Sequence, residues 1–594
     1  MPVPVETAPA PRWSGVWGWA PVVAAGAVFA ERGWARRWVS DDAFITLRCV
    51  QNLLAGHGPV FNVGERVEAS TSTVWELVLA AMGPVRGLLP LEWWAVLLGL
   101  ACAVGGLVLA QVGAVELAGT RGLAGARGLA GARRLVLPLG ALVVGALPPF
   151  WDFATSGLET GMVFGWLGLC FWGLGRTWAR GYPRVPWWLA FAIGLGPLVR
   201  PDLAVFTAGF AALALSLSHP FTWRGVARLA VLGGAVPVAC ELFRMAYYAA
   251  VVPTPAVAKS AAAAWWSQGR LYLSDLVHPY RLWFPVAVVA LVGLVLLVGM
   301  ARRREVLGVA LLVVPVVCGL AHGLFVVRVG GDFMHARLLL PSLFGVLLPV
   351  MAVPVPVRRG ALAAGVAAGA AVGVAGAWAV VCATSWRVPY AGIGPHGIAD
   401  ERGYYLAIAH RANPVRVSDY AENPHYQAAV AAKALARTRP HRLVVDDDFL
   451  PRLDAPLRPE LRAALVARHF NIGVFGYAAG PDVFVADELG LADPIGARLV
   501  VHGRTRPGHE KFLVAAWHIA RFADPGAPIP PGDATPEDLA AARQALACPP
   551  VRDLLAAVDE PLTVGRAVSN LVHAMRFTRV RFDPAPVVAA RQVC

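Results

Sequence analysis

Charge is scarce in this chain. Asp, Glu, Lys and Arg make up 15% of its 594 residues against 57% apolar, and the mean hydropathy is +0.57. A soluble protein carries about a quarter of its residues as charge, so the composition excludes that class and marks an integral membrane protein. Cysteine is sparse too, and the eight cysteines form neither a CxxC pair nor a Cys/His cluster, which excludes a zinc or iron–sulfur centre. Cys102, Cys170, Cys240, Cys318 and Cys382 fall in apolar runs and read as small core residues. Matching halves and mid-span charges, the marks of a secondary transporter, are missing. A net charge of +14 does not signal nucleic acid here, because the arginines fall in short loops between apolar runs. The region before the small-residue site Val28-Phe29-Ala30 has little basic charge, so the first run reads as an uncleaved helix.

What the chain has in abundance is apolar length. Eleven runs are long enough to span a bilayer, or nearly so: 16–33, 92–116, 135–150, 160–176, 185–199, 202–218, 229–250, 282–300, 306–326, 337–355 and 361–383. The basic loops at 176–184, 224–228, 301–305 and 355–360 then fall on one side, which the positive-inside rule makes cytoplasmic. A low-complexity basic repeat at 119–134 joins them, provided that the short segment at 74–90, interrupted by Pro84 and Arg86, is a surface or re-entrant helix. The polar stretches at 41–75, 151–160, 199–202, 251–280 and 327–337 gather on the opposite, outer face. Residues 1–384 thus form a membrane domain with a first outer loop at 35–75. Residues 385–594 lack a spanning run and read as an outer mixed α/β domain, with short strands at 441–445 and 471–475 and a helix at 536–547. Its two cysteines, Cys548 and Cys594, are expected to pair on the oxidising side of the membrane.

Charges kept beside a membrane cost roughly 2.5–3.5 kcal/mol each on insertion scales, so those at span ends are functional candidates. Asp41 and Asp42 open the outer loop. Adjacent carboxylates push their pKa values apart, so one can accept a proton while the other positions a hydroxyl or holds a divalent cation. No other cofactor is called for. Ser40 and Asp41 suit a helix cap equally well. After them, Leu47, Val50, Leu53 and Leu54 recur at helical spacing with Arg48, Gln51 and Asn52 opposite, which predicts an amphipathic helix lying on the bilayer. Lys259, Arg200, Arg328 and Arg337 are cations suited to a phosphate leaving group. Glu68, Glu159, Asp202, Tyr247, Tyr248, Trp266, Asp332 and His335 are candidates to line a sugar or acceptor site, although tryptophans at a boundary also serve as interfacial anchors.

The segments DDAFITLR, NLLAGHGPVFNVGERVEASTSTVW, DFATSGLET, LVRPD, FRMAYYAAVVPTPAVAKSAAAAWWSQGRLYLS, GGDFMHARLLL, GIADERGYY and SNLVHAMRFTRVRFD occur in that order. Together they resemble the GT-C superfamily of polyprenyl-phosphate-dependent glycosyltransferases, and within it the terminal β-(1→2)-arabinofuranosyltransferase family of mycobacteria and related actinobacteria. The resemblance implies a multi-pass plasma-membrane enzyme: a GT-C-type bundle of about eleven transmembrane helices with an extracytoplasmic C-terminal α/β domain. It also implies decaprenyl-phospho-arabinose as donor and the non-reducing ends of cell-wall arabinan, in arabinogalactan or lipoarabinomannan, as acceptor. Asp41 and Asp42 match the family's acidic pair, and Arg200, Lys259, Asp332, His335 and Arg337 lie in its shared motifs. Ala43-Phe44 and Asp202, where glutamate is expected, are departures. Donor and product are both β-linked in this family, which implies net retention. The alternatives are a GT-C relative that transfers mannose or acts on protein hydroxyls and, from another class, a transporter.

Overall fold

The apolar runs fold as helices, but proline divides several of them. The structure is a computed structural model that describes residues 19–118, 134–260, 263–356, 362–447, 450–529 and 534–594. Four of the described helices are long and apolar enough to cross a membrane: Leu91–Leu117, Trp223–Tyr248, Trp283–Arg302 and Val306–Val329. The run at 135–150 divides into a strand, Arg134–Leu137, and the helices Leu139–Ala146 and Pro148–Thr155. Pro197 and Pro201 mark the breaks between Trp187–Gly194, Gly196–Val199 and Ala204–Leu217. The run at 337–355 becomes a broken helix around Pro341 and Pro349 and ends in a strand, Val353–Pro356, that pairs antiparallel with Arg134–Leu137. Proline lacks an N–H and bars the preceding residue from helical geometry, so each of these runs is interrupted where one falls. The segment at 74–90 forms only a nine-residue helix, Thr73–Ala81, followed by a turn at Gly83-Pro84. At 1.5 Å per residue it is too short to span a hydrocarbon core of about 30 Å. The basic repeat at 119–134 and the loop at 355–360 lie, apart from their edges, outside the described residues.

The helices Leu91–Leu117 and Thr160–Ala179 pack together through glycines at seven-residue spacing. A Cβ at Gly106 would meet the Phe164 carbonyl oxygen at 2.2 Å, and one at Gly168 would meet the Gly106 carbonyl oxygen at 2.1 Å. Small residues let the two backbones touch. This close pairing fixes the position of Glu159, the residue directly before the second helix, whose side chain is left free of any capping bond.

Beyond the bundle lies a four-stranded sheet in the order Leu450–Pro456, Arg442–Asp447, Leu465–His469, Val483–Asp487, its first pair antiparallel and the others parallel. Leu443, Val445, Val466, Trp517, Ile519 and Phe522 fill its core. Cys548 and Cys594 form a disulfide, Cα atoms 5.3 Å apart, that ties the last residues to the helix Pro549–Asp559. Ile398, Tyr405, Ala409, Val415 and Tyr420 instead join the core of the bundle, with Trp38, Phe44 and Leu47.

Two local expectations are corrected. The segment 471–475 is not a strand: it begins a helix, Ile472–Ala479, whose N-terminal N–H groups donate to an aspartate of the segment 41–75. The helix Asp41–Leu54 does not lie on the bilayer with one wet face. Arg48 and Asn52 are 1% and 2% exposed. Arg48 donates to the carbonyls of Phe61 (2.7 Å), Gly480 (3.1 Å), Val483 (2.7 Å) and Gly476. The polar side of the helix therefore clasps the C-terminal part of the chain, and its apolar side packs on the bundle.

Candidate active site

The first turn of this helix sets the site. Ser40 caps it, its hydroxyl accepting from the Ala43 N–H at 3.3 Å. Consecutive helical residues diverge by about 100°, so Asp41 and Asp42 point to different partners. The Asp41 carboxylate accepts from the N–H groups of Gly473 (3.1 Å) and Val474 (2.6 Å) and so caps the helix Ile472–Ala479. Burial pushes this carboxyl up to about 7, against the pull of those two hydrogen bonds. Glycine at 473 is required by the contact, because a Cβ there would lie 1.9 Å from the Asp41 carbonyl oxygen. Asp41→Ala is expected to lower stability by about 1–2 kcal/mol, the usual worth of a lost cap. Gly473→Ala should loosen the same junction through steric conflict. Thermal unfolding and limited proteolysis at the junction measure both.

Asp42 faces the other way, into a chain of buried charges. Arg337 Nη1 lies 3.6 Å from Asp42 Oδ2 and 3.6 Å from Asp332 Oδ2, and Nη2 lies 3.4 Å from Glu159 Oε1. Arg200 Nε is 3.8 Å from the same Glu159 oxygen and forms a two-pronged pair with Asp202 at 2.9 and 2.5 Å. His322 bridges Asp202 (2.9 Å) to the Ser342 hydroxyl (2.7 Å). Lys259 Nζ stands 3.9 Å from Asp332 Oδ1. Burial raises the Asp42 pKa, while Lys259 and Arg337 pull it back down. Among the described residues, Arg200 Nη1, Arg337 Nε, Asp332 Oδ2 and Thr160 Oγ1 are buried without a hydrogen-bond partner. Each such atom costs about 1–3 kcal/mol, and three of them, on Arg200, Arg337 and Asp332, belong to this one group, where a polar ligand could satisfy them.

Local sequence explains the convergence. Gly157, at φ +80°, brings the loop before Glu159 against the Asp42 helix, where a Cβ would lie 2.9 Å from Ala43 Cβ. Ser40 N–H donates to Ser156 O and Trp75 Nε1 to Gly157 O, both at 2.9 Å. Gly331, at φ +76°, lies against the Tyr272 ring, and the Tyr272 hydroxyl donates to Met334 O at 2.9 Å. This turn places Asp332 and Arg337 on one side.

The other sequence candidates take different partners. Glu68 pairs with Arg244 at 2.6 and 3.0 Å, and the Tyr248 hydroxyl donates to Pro59 O at 2.6 Å, with the Tyr247 ring edge-on to it. His335 bonds Asp275 (2.5 Å) and Tyr280 (3.1 Å). Trp266 is exposed at the start of its helix, and Arg328 is exposed near the end of Val306–Val329. Among the described residues no ion pair joins Glu68, Tyr247, Tyr248 or His335 to Asp42. As for a divalent cation, Arg337 already fills the place between the carboxylates, and the described residues hold no group of three His, Cys, Asp or Glu side chains arranged for a metal. Sequence reasoning missed Glu401 and the segment 504–511. Glu401 is buried, and like charge from Asp42 and Asp332 adds to the burial that raises its pKa. The GIADERGYY motif around it was the available signal.

Residues 420–588 match the AftB family C-terminal domain. The chain is 36% identical to the terminal beta-(1->2)-arabinofuranosyltransferase of Mycobacterium tuberculosis, over 96% of each. It is 33% identical to the Corynebacterium glutamicum protein of the same name, over 91% of this chain and 83% of that one. No solved structure matches.

Proposed function

Because the chain belongs to the terminal β-(1→2)-arabinofuranosyltransferase family, we propose that arabinofuranose leaves a lipid phosphate and joins the end of an arabinan chain at the buried group around Asp42. The chain is a glycosyltransferase that adds arabinofuranose to arabinan. The observation that carries the site assignment is the position of Arg337 between Asp42, Asp332 and Glu159, with buried atoms on Arg337, Arg200 and Asp332 that lack a hydrogen-bond partner.

The donor is decaprenyl-phospho-arabinose. As its C1–O bond breaks, the phosphate keeps the electron pair, and Lys259 and Arg337 offset the charge that grows there. Net retention needs two inversions or a front-face route. Asp42 Oδ2 and Asp332 Oδ2 each lie 3.6 Å from one nitrogen, so they are no further apart than twice that distance. That bound takes in the carboxylate separation of retaining glycosidases, about 5–5.5 Å, and the lower end of that of inverting ones, about 6.5–9.5 Å, so the pair can flank one sugar and the retention comes from the family's β-to-β linkage. Asp42 attacks C1 and displaces the phosphate. The acceptor 2-hydroxyl then passes its proton to Asp332 as its oxygen displaces Asp42. Asp41 acts through position, by holding the C-terminal part of the chain against the turn that carries Asp42. The eleven apolar runs form a GT-C-type bundle, and the site and the C-terminal part face the extracytoplasmic side. The four basic loops and the Cys548–Cys594 disulfide support that orientation.

The test is transfer of labelled arabinose from decaprenyl-phospho-arabinose to a synthetic arabinan by membranes containing the protein. Lys259→Ala should raise the donor KM by about tenfold, the scale of one charge-assisted contact, and leave the acceptor KM nearly unchanged. Equal effects on both substrates would remove Lys259 from the phosphate.

A further inference from the structure

Residues 504–511, RTRPGHEK, belong to the C-terminal part of the chain yet pack on the rim of the Asp42 group. Phe333, which directly follows Asp332, is the meeting point. The Arg506 guanidinium lies 5.1 Å from the centre of its ring, Lys259 Nζ 5.3 Å from it, and the His509 ring meets it edge-on at 4.7 Å. Gly508, at φ +78°, passes so close to Lys259 that a Cβ would lie 3.1 Å from Cε. Lys511 anchors the segment, donating to Val257 O at 2.7 Å and Ala497 O at 2.6 Å. Val257 belongs to the short helix Thr254–Ala258 that delivers Lys259. Arg506 makes one hydrogen bond among the described residues, from Nε to Gly397 O at 3.2 Å, so its two terminal nitrogens keep their donors. Gly397 begins the stretch that pairs with the Phe333 turn: Ala399 N–H donates to Phe333 O at 2.6 Å and His335 N–H to Ala399 O at 2.9 Å.

We propose that Arg506 is a second phosphate ligand, contributed by the C-terminal part of the chain: the donor's phosphodiester binds at the Phe333 edge between Lys259 and Arg506. This rests on the assignment of the Asp42 group as the transfer site. A guanidinium presents paired donors to phosphate oxygens where an ammonium offers a point charge, so the two cations have different tasks. The site is then complete only when the C-terminal part is docked, which gives the Asp41 cap and the Lys511 anchor a role in donor binding.

The experiment uses the full-length protein in membranes. KM for decaprenyl-phospho-arabinose, KM for synthetic arabinan and inhibition by decaprenyl phosphate are measured for wild type, Arg506→Gln, Arg506→Lys and Arg504→Ala. Decaprenyl phosphate lacks the sugar, so its inhibition constant isolates the phosphate contact. Arg506→Gln should raise the donor KM and the inhibition constant together by about tenfold, Arg506→Lys should recover part of both, and the acceptor KM should hold. Arg504→Ala, in the same segment but stacked on Trp265 at 5.2 Å, controls for disturbance of the loop and should leave all three near wild type. Unchanged donor KM in Arg506→Gln, a matching rise in the acceptor KM, or the same loss in Arg504→Ala would overturn the assignment. Failure of the wild-type protein to use the donor would instead overturn the proposed reaction.

Discussion

Asp42→Asn lowers arabinose transfer by at least about a thousandfold, the scale expected when a reacting carboxylate is removed, while the protein folds and unfolds close to wild type. The substitution keeps the size of the side chain and leaves Arg337 paired with Glu159 and Asp332, so the burial around it changes little. Asp41→Asn behaves differently. Its carboxylate accepts two backbone hydrogen bonds from the helix Ile472–Ala479, and an amide oxygen can keep one of them. Its loss therefore shows first as weaker docking and lower thermal stability, with a smaller fall in turnover. The contrast between neighbouring residues is the informative part. Equal losses of turnover, with equal stability, would mean that both aspartates reach the substrate.

Arg337→Gln has the largest effect on the fold. It removes the one cation within 4 Å of Asp42, Glu159 and Asp332 together, which strands buried carboxylates and costs about 3–5 kcal/mol. Arg337→Lys keeps the charge but loses the fork that spans three partners, so it recovers part of the stability and less of the activity. The loss should depend on pH. Burial already raises the Asp42 pKa, with Arg337 among the groups that hold it down, so in the Gln variant it rises further. A carboxyl whose folded pKa exceeds its unfolded value contributes stability when protonated and loses it as pH climbs through the folded pKa. The variant should therefore unfold at a lower temperature at about pH 8 than at about pH 5.5, by a wider margin than wild type. Thermal melts in detergent across that range measure it.

Much of this arrangement is legible in the chain. The order of the polar stretches and the isolated acidic pair at 41–42 pick out charges that the structure brings together around Arg337, because charges beside a membrane are rare and few positions compete. What the sequence does not carry is direction. Asp41 and Asp42 are one residue apart and chemically alike, and only the placement of Gly473 shows that the first binds a helix end 432 residues away. Arg48 fits a wet helix face until the carbonyls of Gly476, Gly480 and Val483 are seen to meet it, and Asn52 until its amide is seen to donate to Val60 O and Phe61 O. Glu68 and Glu159 both look like sugar ligands, yet one pairs with Arg244 and the other with Arg337. The number of uninterrupted helices was also hidden, since hydropathy counts apolar residues and not the prolines that end a helix.

The two polar groups give the account its sharpest test. A decaprenyl-phosphate analogue carrying a photoreactive group beside the phosphate is activated in membranes holding the wild-type protein, and the labelled peptides are mapped by mass spectrometry. Labels should fall at residues 254–260, 330–337 and 504–511, around Lys259, Arg337 and Arg506, and be suppressed by excess decaprenyl phosphate. Labels confined to residues 58–76 and 241–248, around Glu68 and Arg244, would place the donor at the other group and contradict the assignment of Asp42.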